Sequence, residues 1–443
     1  MRQLGSLSRR QMLGRAMRFS AAFSVPAIVP AQALGLGGMV AANDRITVGM
    51  IGLGRQAVAY NLPFFLDASD AEVVALCDVD AWRLAMESPE LAKTLGRQPR
   101  PQKLRSAKRY RDWREVVEHP GIDALMISTP DHWHVPMALA GVKAGKHVCC
   151  EKPLTRFIAE GRQLADAVAQ AGVVFRTDSE FRSLEPFHRT VELVRNGLIG
   201  PLKRIFTGVP FGPDRSPPAV EMPVPEELDY EAWQGPAPRR PYCGDRVHPR
   251  HGYSRPGWMN ILDYCDGMIT NWGTHLNDIA QWGNNTDRTG PVEIEGSGEY
   301  TPAGGLWNVI RSFEVRYRYA NDVELCYRTD RPYVRFEGTE GWIQADYPKG
   351  LTAEPISVLT AALPPEAVRF PLKPEKRDFL DAIKTGGSTL ADAEVGHRTT
   401  SLCHLGHIAV HLGRKLRWDP VAERFTNCEE ANRYLDRPIL EPP

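Results

Sequence analysis

Ile46-Thr47-Val48-Gly49-Met50-Ile51-Gly52-Leu53-Gly54-Arg55-Gln56-Ala57 is the stretch on which the fold turns. Six residues of buried-strand character run straight into G-x-G-x-x-A, and an amphipathic stretch, Arg55–Leu66, follows. The first glycine permits a tight turn, the second lets backbone N–H groups approach a pyrophosphate, and small Ala57 lets helix and strand pack closely. The next apolar run, Val73–Cys77, ends on Asp78, where a carboxylate can accept hydrogen bonds from the diol of an adenosine ribose. Asp78 also repels a 2′-phosphate, so NAD is expected rather than NADP. Gly52, Gly54, Arg55, Gln56 and Asp78 are therefore candidate cofactor contacts. Pro63 is expected to end or kink the first helix early.

Outward from this stretch, short apolar runs alternate with amphipathic ones as far as Thr177. Ala124–Ser128, His147–Cys150 and Val173–Phe175 read as further strands, with helices at Trp82–Leu95, Asp112–Glu118, Val135–Ala144 and Ile158–Ala171. Such alternation implies a doubly wound parallel sheet covered on both faces, a first domain over residues 44–177. A helix at Leu184–Asn196 opens a second α/β domain, 178–420. Eleven of the 36 prolines lie between Pro210 and Pro256, along with Trp233, Tyr242 and Tyr253. This excursion, 210–256, is too aromatic for a plain linker and is expected to pack over a site or an oligomer contact. A helix is expected at Asn271–Gln281. Period-two runs at Asn308–Tyr319, Val323–Tyr327, Val334–Gly338 and Trp342–Ala345 then predict an open, mostly antiparallel sheet. Helices at Glu375–Lys384 and Glu394–Leu412 and a tail, 421–443, close the chain.

The 443 residues are 42% hydrophobic and 24% charged, the balance of a globular protein of two or three domains. Lys+Arg and Asp+Glu are equal at 54, so no global field recruits nucleic acid, and the basic run Arg97–Arg114 reads as a solvated face. No apolar run reaches the roughly 18 residues of a membrane span. The eight cysteines contain no C-x-x-C pair, and an isolated bridge such as Cys243–Cys265 is left open. Cys243, His248, His251 and Cys265 match no common zinc spacing, and no metal site is expected. Residues 1–33 read as an export signal, with basic Arg2, Arg9 and Arg10, an apolar stretch Phe19–Val29 and a small-residue cleavage site at Ala31-Gln32-Ala33. Ser8-Arg9-Arg10-Gln11-Met12-Leu13 resembles the twin-arginine motif, so a periplasmic or other extracytoplasmic location is expected, with a cytoplasmic protein as the alternative.

Ser128-Thr129-Pro130-Asp131-His132-Trp133-His134 and Ala144-Gly145-Lys146-His147-Val148-Cys149-Cys150-Glu151-Lys152-Pro153-Leu154-Thr155 closely resemble the Gfo/Idh/MocA oxidoreductases. The likeness runs from about Ile46 to Asp419 and includes Asn271–Asp278. It implies a Rossmann domain followed by an α/β domain with an open sheet. It implies that Thr129, Pro130 and His134 line the cofactor cleft, that Glu151 holds the nicotinamide ribose, and that Lys152 touches both nicotinamide and substrate hydroxyl. Arg182 matches a family arginine at the start of the second domain, His275 matches the proton-transferring histidine, and the Lys152–Pro153 bond is expected to be cis. Asn271, Asp278 and Trp272 join Arg182 as substrate-side candidates, with Trp258 and Tyr264 as further stacking surfaces.

The chemistry agrees. Hydride leaves a carbinol carbon only if the hydroxyl proton also leaves, and histidine, with an unperturbed pKa of about 6.5, is poised to take it. An ammonium at Lys152 favours the developing alkoxide. On a continuous helix Asn271, His275 and Asp278 share one face. Many sugar and inositol dehydrogenases of the family carry Asp where this chain has Asn271, so His275 should be less basic unless Asp278, Asp266 or Asp263 substitutes.

These readings converge on an exported NAD-dependent oxidoreductase acting on a sugar, polyol or glycoside hydroxyl. Its cofactor should be tightly held, because no free nicotinamide pool exists outside the cytoplasm. Redox-neutral glycoside hydrolysis by transient oxidation and a non-catalytic NAD- and glycan-binding scaffold are the alternatives. The expected partners are a small-molecule carbohydrate or polyol and a second copy of the chain, since an open sheet with one apolar face usually finds a partner.

Overall fold

The computed structural model describes residues 44–87, 91, 104–348 and 350–436. The expected export segment, 1–33, lies outside them, as does most of Leu91–Lys103.

Six parallel strands form the first sheet in the order β3-β2-β1-β4-β5-β6. They are β1 Ile46–Ile51, β2 Ala71–Cys77, β3 Lys108–Tyr110, β4 Ala124–Ile127, β5 His147–Cys150 and β6 Phe175–Thr177. The strand order reverses between β1 and β4, and in such sheets the crevice outside the carboxyl ends of those strands is where ligands bind. Helices α1 Leu62–Asp67, α2 Ala81–Ala85, α3 Trp113–Glu118, α4 Asp131–Lys143 and α5 Ile158–Ala171 connect the strands. With helices on both faces the strands are apolar almost throughout, and Val48, Met50, Leu125, Met126 and Val148 are fully buried.

Three local expectations fail for identifiable reasons. Pro63 does not end its helix: Ala57–Asn61 widens into a π turn, and α1 begins after it with Pro63 in the first turn, where no N–H is needed. The helix expected over Trp82–Leu95 is capped by Asp80, which accepts the N–H groups of Trp82 and Arg83, but stops at Ala85 because Met86 turns left-handed at φ 56°. Strand β6 starts two residues later than Val173.

The second sheet has nine strands in the order β13-β12-β11-β7-β10-β9-β8-β14-β15. They are β7 Leu202–Val209, β8 Glu293–Tyr300, β9 Ile310–Arg318, β10 Glu324–Thr329, β11 Tyr333–Gly338, β12 Trp342–Asp346, β13 Leu351–Glu354, β14 Leu416–Asp419 and β15 Arg424–Phe425. Only β7 and β10 pair in parallel. The accompanying helices are α6 Glu185–Arg195, α7 Tyr230–Gln234, α8 Met268–Asn271, α9 Gly273–Gly283, α10 Ser357–Thr360, α11 Glu375–Thr385, α12 Ala393–Leu412 and α13 Glu429–Asn432. Leu276 and Ile279 of α9 and Leu402 and Leu405 of α12 pack with Val315, Tyr317, Leu325 and Phe336 in one core. The opposite face is charged, not apolar: Glu324 faces Arg318 and Arg204, Glu293 faces Arg318, and Arg328 faces Glu314 across neighbouring strands. The premise of the oligomer expectation is therefore absent.

Nor is 178–420 a self-contained unit. Phe379 and Leu380 of α11 are buried with Leu76, Met126 and Cys149 under the first sheet, while Arg377 and Lys384 both grip Asp70. Residues 421–436 of the expected tail fold back, burying Phe425 and Ala431 in the second core. All eight cysteines are free thiols, so Cys243 and Cys265 form no bridge and lie buried. Among the described residues no helix is long and apolar enough to cross a membrane.

One clamp ties α5 to the chain's end. Glu423 meets His397 at 3.0 Å, Arg162 at 2.9 Å and Arg398 at 3.0 Å. Although burial opposes it, this pairing lowers the Glu423 carboxyl from 4.5 to about 2. A depressed carboxyl contributes stability that is present above its unfolded value and lost as pH falls through its folded one. Acid titration of the folded fraction should accordingly show stability declining from pH 4.5 towards 2, and Glu423→Gln should start lower and flatten that limb.

Candidate active site

The crevice at the carboxyl ends of the first sheet opens into a cavity of about 850 Å³. Gly52, Gly54, Arg55, Gln56, Asp78, Thr129, Pro130, His134, Glu151, Lys152, Asn271, Trp272 and His275 all line it. At its floor Gly52 has φ +87°, and a Cβ there would lie 2.7 Å from the Ser128 carbonyl oxygen, so the turn after β1 passes against the turn after β4 only because it is glycine. A Cβ on Gly54 would meet nothing within 4 Å: this backbone faces open space, as close approach of a pyrophosphate requires. Asp78 is half-buried and accepts the N–H groups of Leu53 at 2.7 Å and Asp80 at 2.9 Å, so it pins the glycine turn as well as closing β2. Burial raises its carboxyl above the ordinary range. The buried Thr129 hydroxyl has no partner among the described residues. An open glycine cradle, a strand-end carboxylate and an orphan hydroxyl fit a dinucleotide.

Not every cofactor candidate faces outward. His134 lies between the Pro153 carbonyl at 2.7 Å and the Thr129 carbonyl at 2.9 Å, and burial lowers its imidazole to about 4. It ties together two loops, one of them carrying the cis Lys152–Pro153 bond. Buried Glu151 accepts a hydrogen bond from Asn61 at 2.8 Å, and burial followed by Asp178 raises its carboxyl.

At the other end Lys152 Nζ donates to the backbone carbonyl of Asn271 at 3.1 Å. That carbonyl ends α8, and Trp272 separates α8 from α9, so the single helix expected over Asn271–Gln281 is two. His275, in the first turn of α9, stacks on Phe181 with ring centroids 4.5 Å apart and meets the edge of Trp272. Its Nδ1 has no partner among the described residues. Burial and then the Lys152 ammonium hold the imidazole well below its ordinary range. Two residues that the sequence reading missed complete this end. Glu180, from the 3₁₀ turn Glu180–Ser183, brings a carboxylate oxygen 3.9 Å from His275 Nε2. Tyr347, just beyond β12, stacks on Phe181 at 5.3 Å and meets Trp272 edge-on. Trp272 and Tyr347 form an aromatic wall backed by buried Phe181, and Trp258 also lines the cavity.

Three expected substrate-side residues do not reach it. Arg182 and Asp278 form a bidentate ion pair, Nη2–Oδ1 2.6 Å and Nε–Oδ2 2.8 Å, with both side chains 1% exposed. Arg182 also donates to the Leu390 carbonyl and Asp287, and Ser179 and Thr399 donate to Asp278, so little bonding capacity is left for a ligand. Tyr264 is fully buried against His132 and Trp233. The carboxylates expected to substitute near His275 are engaged elsewhere: Asp266 with Arg156, His404 and His407, and Asp263 with Arg240.

The Pro-rich excursion roofs the adenosine end. Leu228 bridges Asp80, Arg83 donates to the Gly252 carbonyl at 2.7 Å, His248 meets Asp80 at 2.8 Å, and Trp133 donates to the Trp233 carbonyl at 3.0 Å. Its own core holds Tyr230, Trp233, Tyr242 and Tyr264.

Breaking a buried ion pair from one side strands a charge and costs about 3–5 kcal/mol. Arg182→Met should therefore lower the chemical-denaturation midpoint sharply, and Asp278→Asn should do so to a lesser degree. A variant of either that keeps its stability while losing only ligand affinity would return these residues to the substrate side.

Residues 46–179 match the NAD-binding Rossmann fold of the Gfo/Idh/MocA oxidoreductase family, and residues 215–442 match its C-terminal alpha/beta domain. The chain is 31% identical over 162 residues to a levoglucosan dehydrogenase of Pseudarthrobacter phenanthrenivorans, covering 35% of this chain and 39% of that one. It is 28% identical over 341 residues to a glycosyl hydrolase family 109 protein of Stenotrophomonas maltophilia, covering 69% of each. The matched region spans less than half the length of the first curated relatives. The aldose-aldose oxidoreductase structure from Caulobacter crescentus superposes with a TM-score of 0.60 at 18% identity, over 84% of this chain and 99% of that one. With its Rossmann sheet, glycine cradle and second, mixed sheet, the chain belongs to the Gfo/Idh/MocA oxidoreductase family.

Proposed function

We propose that this protein is an NAD-dependent oxidoreductase acting on a hydroxyl of a sugar, polyol or glycoside, and that it keeps its dinucleotide between turnovers. The observation that carries the reading is the meeting of Lys152, His275 and Glu180 at the far end of the cleft that the glycine turn opens. Asp78 suits a ribose diol and disfavours a 2′-phosphate, which supports NAD. A bound nicotinamide supplies the hydride acceptor. The Lys152 ammonium, oriented by the Asn271 carbonyl, stabilises negative charge on the substrate oxygen. The aromatic wall offers the apolar face of a sugar ring its partner. The roof formed by 228–256 supports retention, because it shields the adenosine end from solvent. Export through the segment 1–33 agrees with retention, and the mature N-terminus of the secreted protein tests it.

A second reading is glycoside cleavage through transient oxidation. It is favoured by the similarity, over 341 residues, to a glycosyl hydrolase family 109 protein.

Protein purified without added dinucleotide should release close to one NAD(H) per chain on denaturation, measured by mass spectrometry. It should reduce that dinucleotide when given levoglucosan, myo-inositol or another carbohydrate of a panel. Release of p-nitrophenol from p-nitrophenyl glycosides without net reduction would select the second reading. Lys152→Ala should lower either turnover by on the order of 100-fold or more while leaving the dinucleotide bound. Turnover unaffected by Lys152→Ala and His275→Ala overturns the catalytic assignment, and lost turnover with intact ligand binding overturns the scaffold.

A further inference from the structure

Glu180 differs from every other carboxylate in the cleft. Asp78 accepts backbone N–H groups, Glu151 accepts from Asn61, Asp131 faces the Cys265 thiol, and Glu375 is gripped by Lys376 at 2.7 Å. Glu180 accepts no hydrogen bond among the described residues, lines the cavity with its side chain 34% exposed, and has its oxygen 3.9 Å from His275 Nε2. The neighbouring charges are Lys152, which also faces His275, and the group Asp178, Glu375 and Lys376, within which Lys376 bridges the two acids. Phe181 and Trp272 flank the imidazole and offer no charge.

We propose that Glu180 is the proton acceptor of this cleft and that His275 serves beside it as a neutral hydrogen-bonding guide. The inference rests on the reading of the cleft as a carbinol-oxidising site. The substrate O–H bond breaks and its proton passes to a Glu180 carboxylate oxygen. The C–H electron pair leaves as hydride to the nicotinamide dinucleotide, so the carbinol is oxidised by two electrons to a carbonyl and the dinucleotide is reduced by the same two. In the reverse direction the Glu180 carboxylic acid returns the proton. The physical reason lies in the surroundings. Burial beside an ammonium penalises a second cation, which keeps the imidazole neutral. A carboxylate next to the same ammonium is favoured by it, while burial raises the Glu180 carboxyl above its ordinary range, which makes it a better base than a free carboxylate. The acid missing at Asn271 is thus supplied from the facing element.

The test uses the full chain. Infrared titration assigns the Glu180 carboxyl as the band lost in Glu180→Gln, and NMR titration of histidine-labelled protein assigns the imidazole as the signal lost in His275→Asn. The expected order is that the carboxyl takes its proton at higher pH than the imidazole, and the reverse order overturns the proposal. In turnover, Glu180→Gln should lower kcat by on the order of 100-fold or more with NADH affinity unchanged, Glu180→Asp should recover part of it, and His275→Asn should lose less. Near-normal turnover in Glu180→Gln also overturns it. A wild type that turns over no carbohydrate refutes the functional reading instead, and the titration order, which needs no substrate, still decides this one.

Discussion

The bidentate pair between Arg182 and Asp278 sets the position of nearly everything that faces the far end of the cleft. Arg182 belongs to the short turn that also carries Glu180 and Phe181, and Asp278 sits one turn beyond His275 on α9. Locking guanidinium to carboxylate in a dry interior therefore brings Glu180 to His275 Nε2 and lays Phe181 flat against the imidazole. The cation stacks on Trp282 at 4.8 Å, which fixes it from the other side. A buried ion pair is a weak source of stability against an apolar alternative, but it fixes register, because a displaced partner leaves a charge with nowhere to go. The site is held in place by groups that take no part in its chemistry.

How much of this was readable from residues alone depended on whether the determining contacts were local. The first sheet was, because strand, glycine turn and strand-end acid follow one another within Ile46–Asp78. Lys152 and His275 were, because each sits in a short motif. Glu180 was not: as one of 54 acidic residues, in a turn with no motif of its own, it acquires meaning only when α9 is laid across it. Tyr347 likewise comes from the far sheet. Asp278 was misplaced because Arg182, nearly a hundred positions away, claims it, and because Trp272 interrupts the helix that would have put Asn271, His275 and Asp278 on one face. Strand β8, EIEGSGEY, lacked alternation since its glycines lie under Val410 of α12.

The two ends of the cleft are built differently. The dinucleotide end relies on backbone and on absence, glycines whose missing side chains make room, with a proline-rich roof anchored to the corner after β2. The reactive end relies on side chains from several places: the segment after β5, the turn after β6, Trp272 and the start of α9, and Tyr347 beyond β12. The outer face of the second sheet relies on neither and is laid with cross-strand Arg and Glu rows.

The break at Trp272 reaches further than the cleft. Gly273 starts α9 so close to its surroundings that a Cβ there would lie 2.3 Å from the Tyr327 hydroxyl and 2.9 Å from Cys403 Sγ, and that hydroxyl in turn donates to the Ile269 carbonyl at 2.8 Å. Asn271, whose carbonyl meets Lys152, ends the short helix α8 that this tyrosine in the middle of the second sheet holds through Ile269, two residues earlier. Repacking of that hidden layer would retune the ammonium without altering any cleft-lining side chain, a route by which relatives with identical site residues could diverge in the sugars they accept.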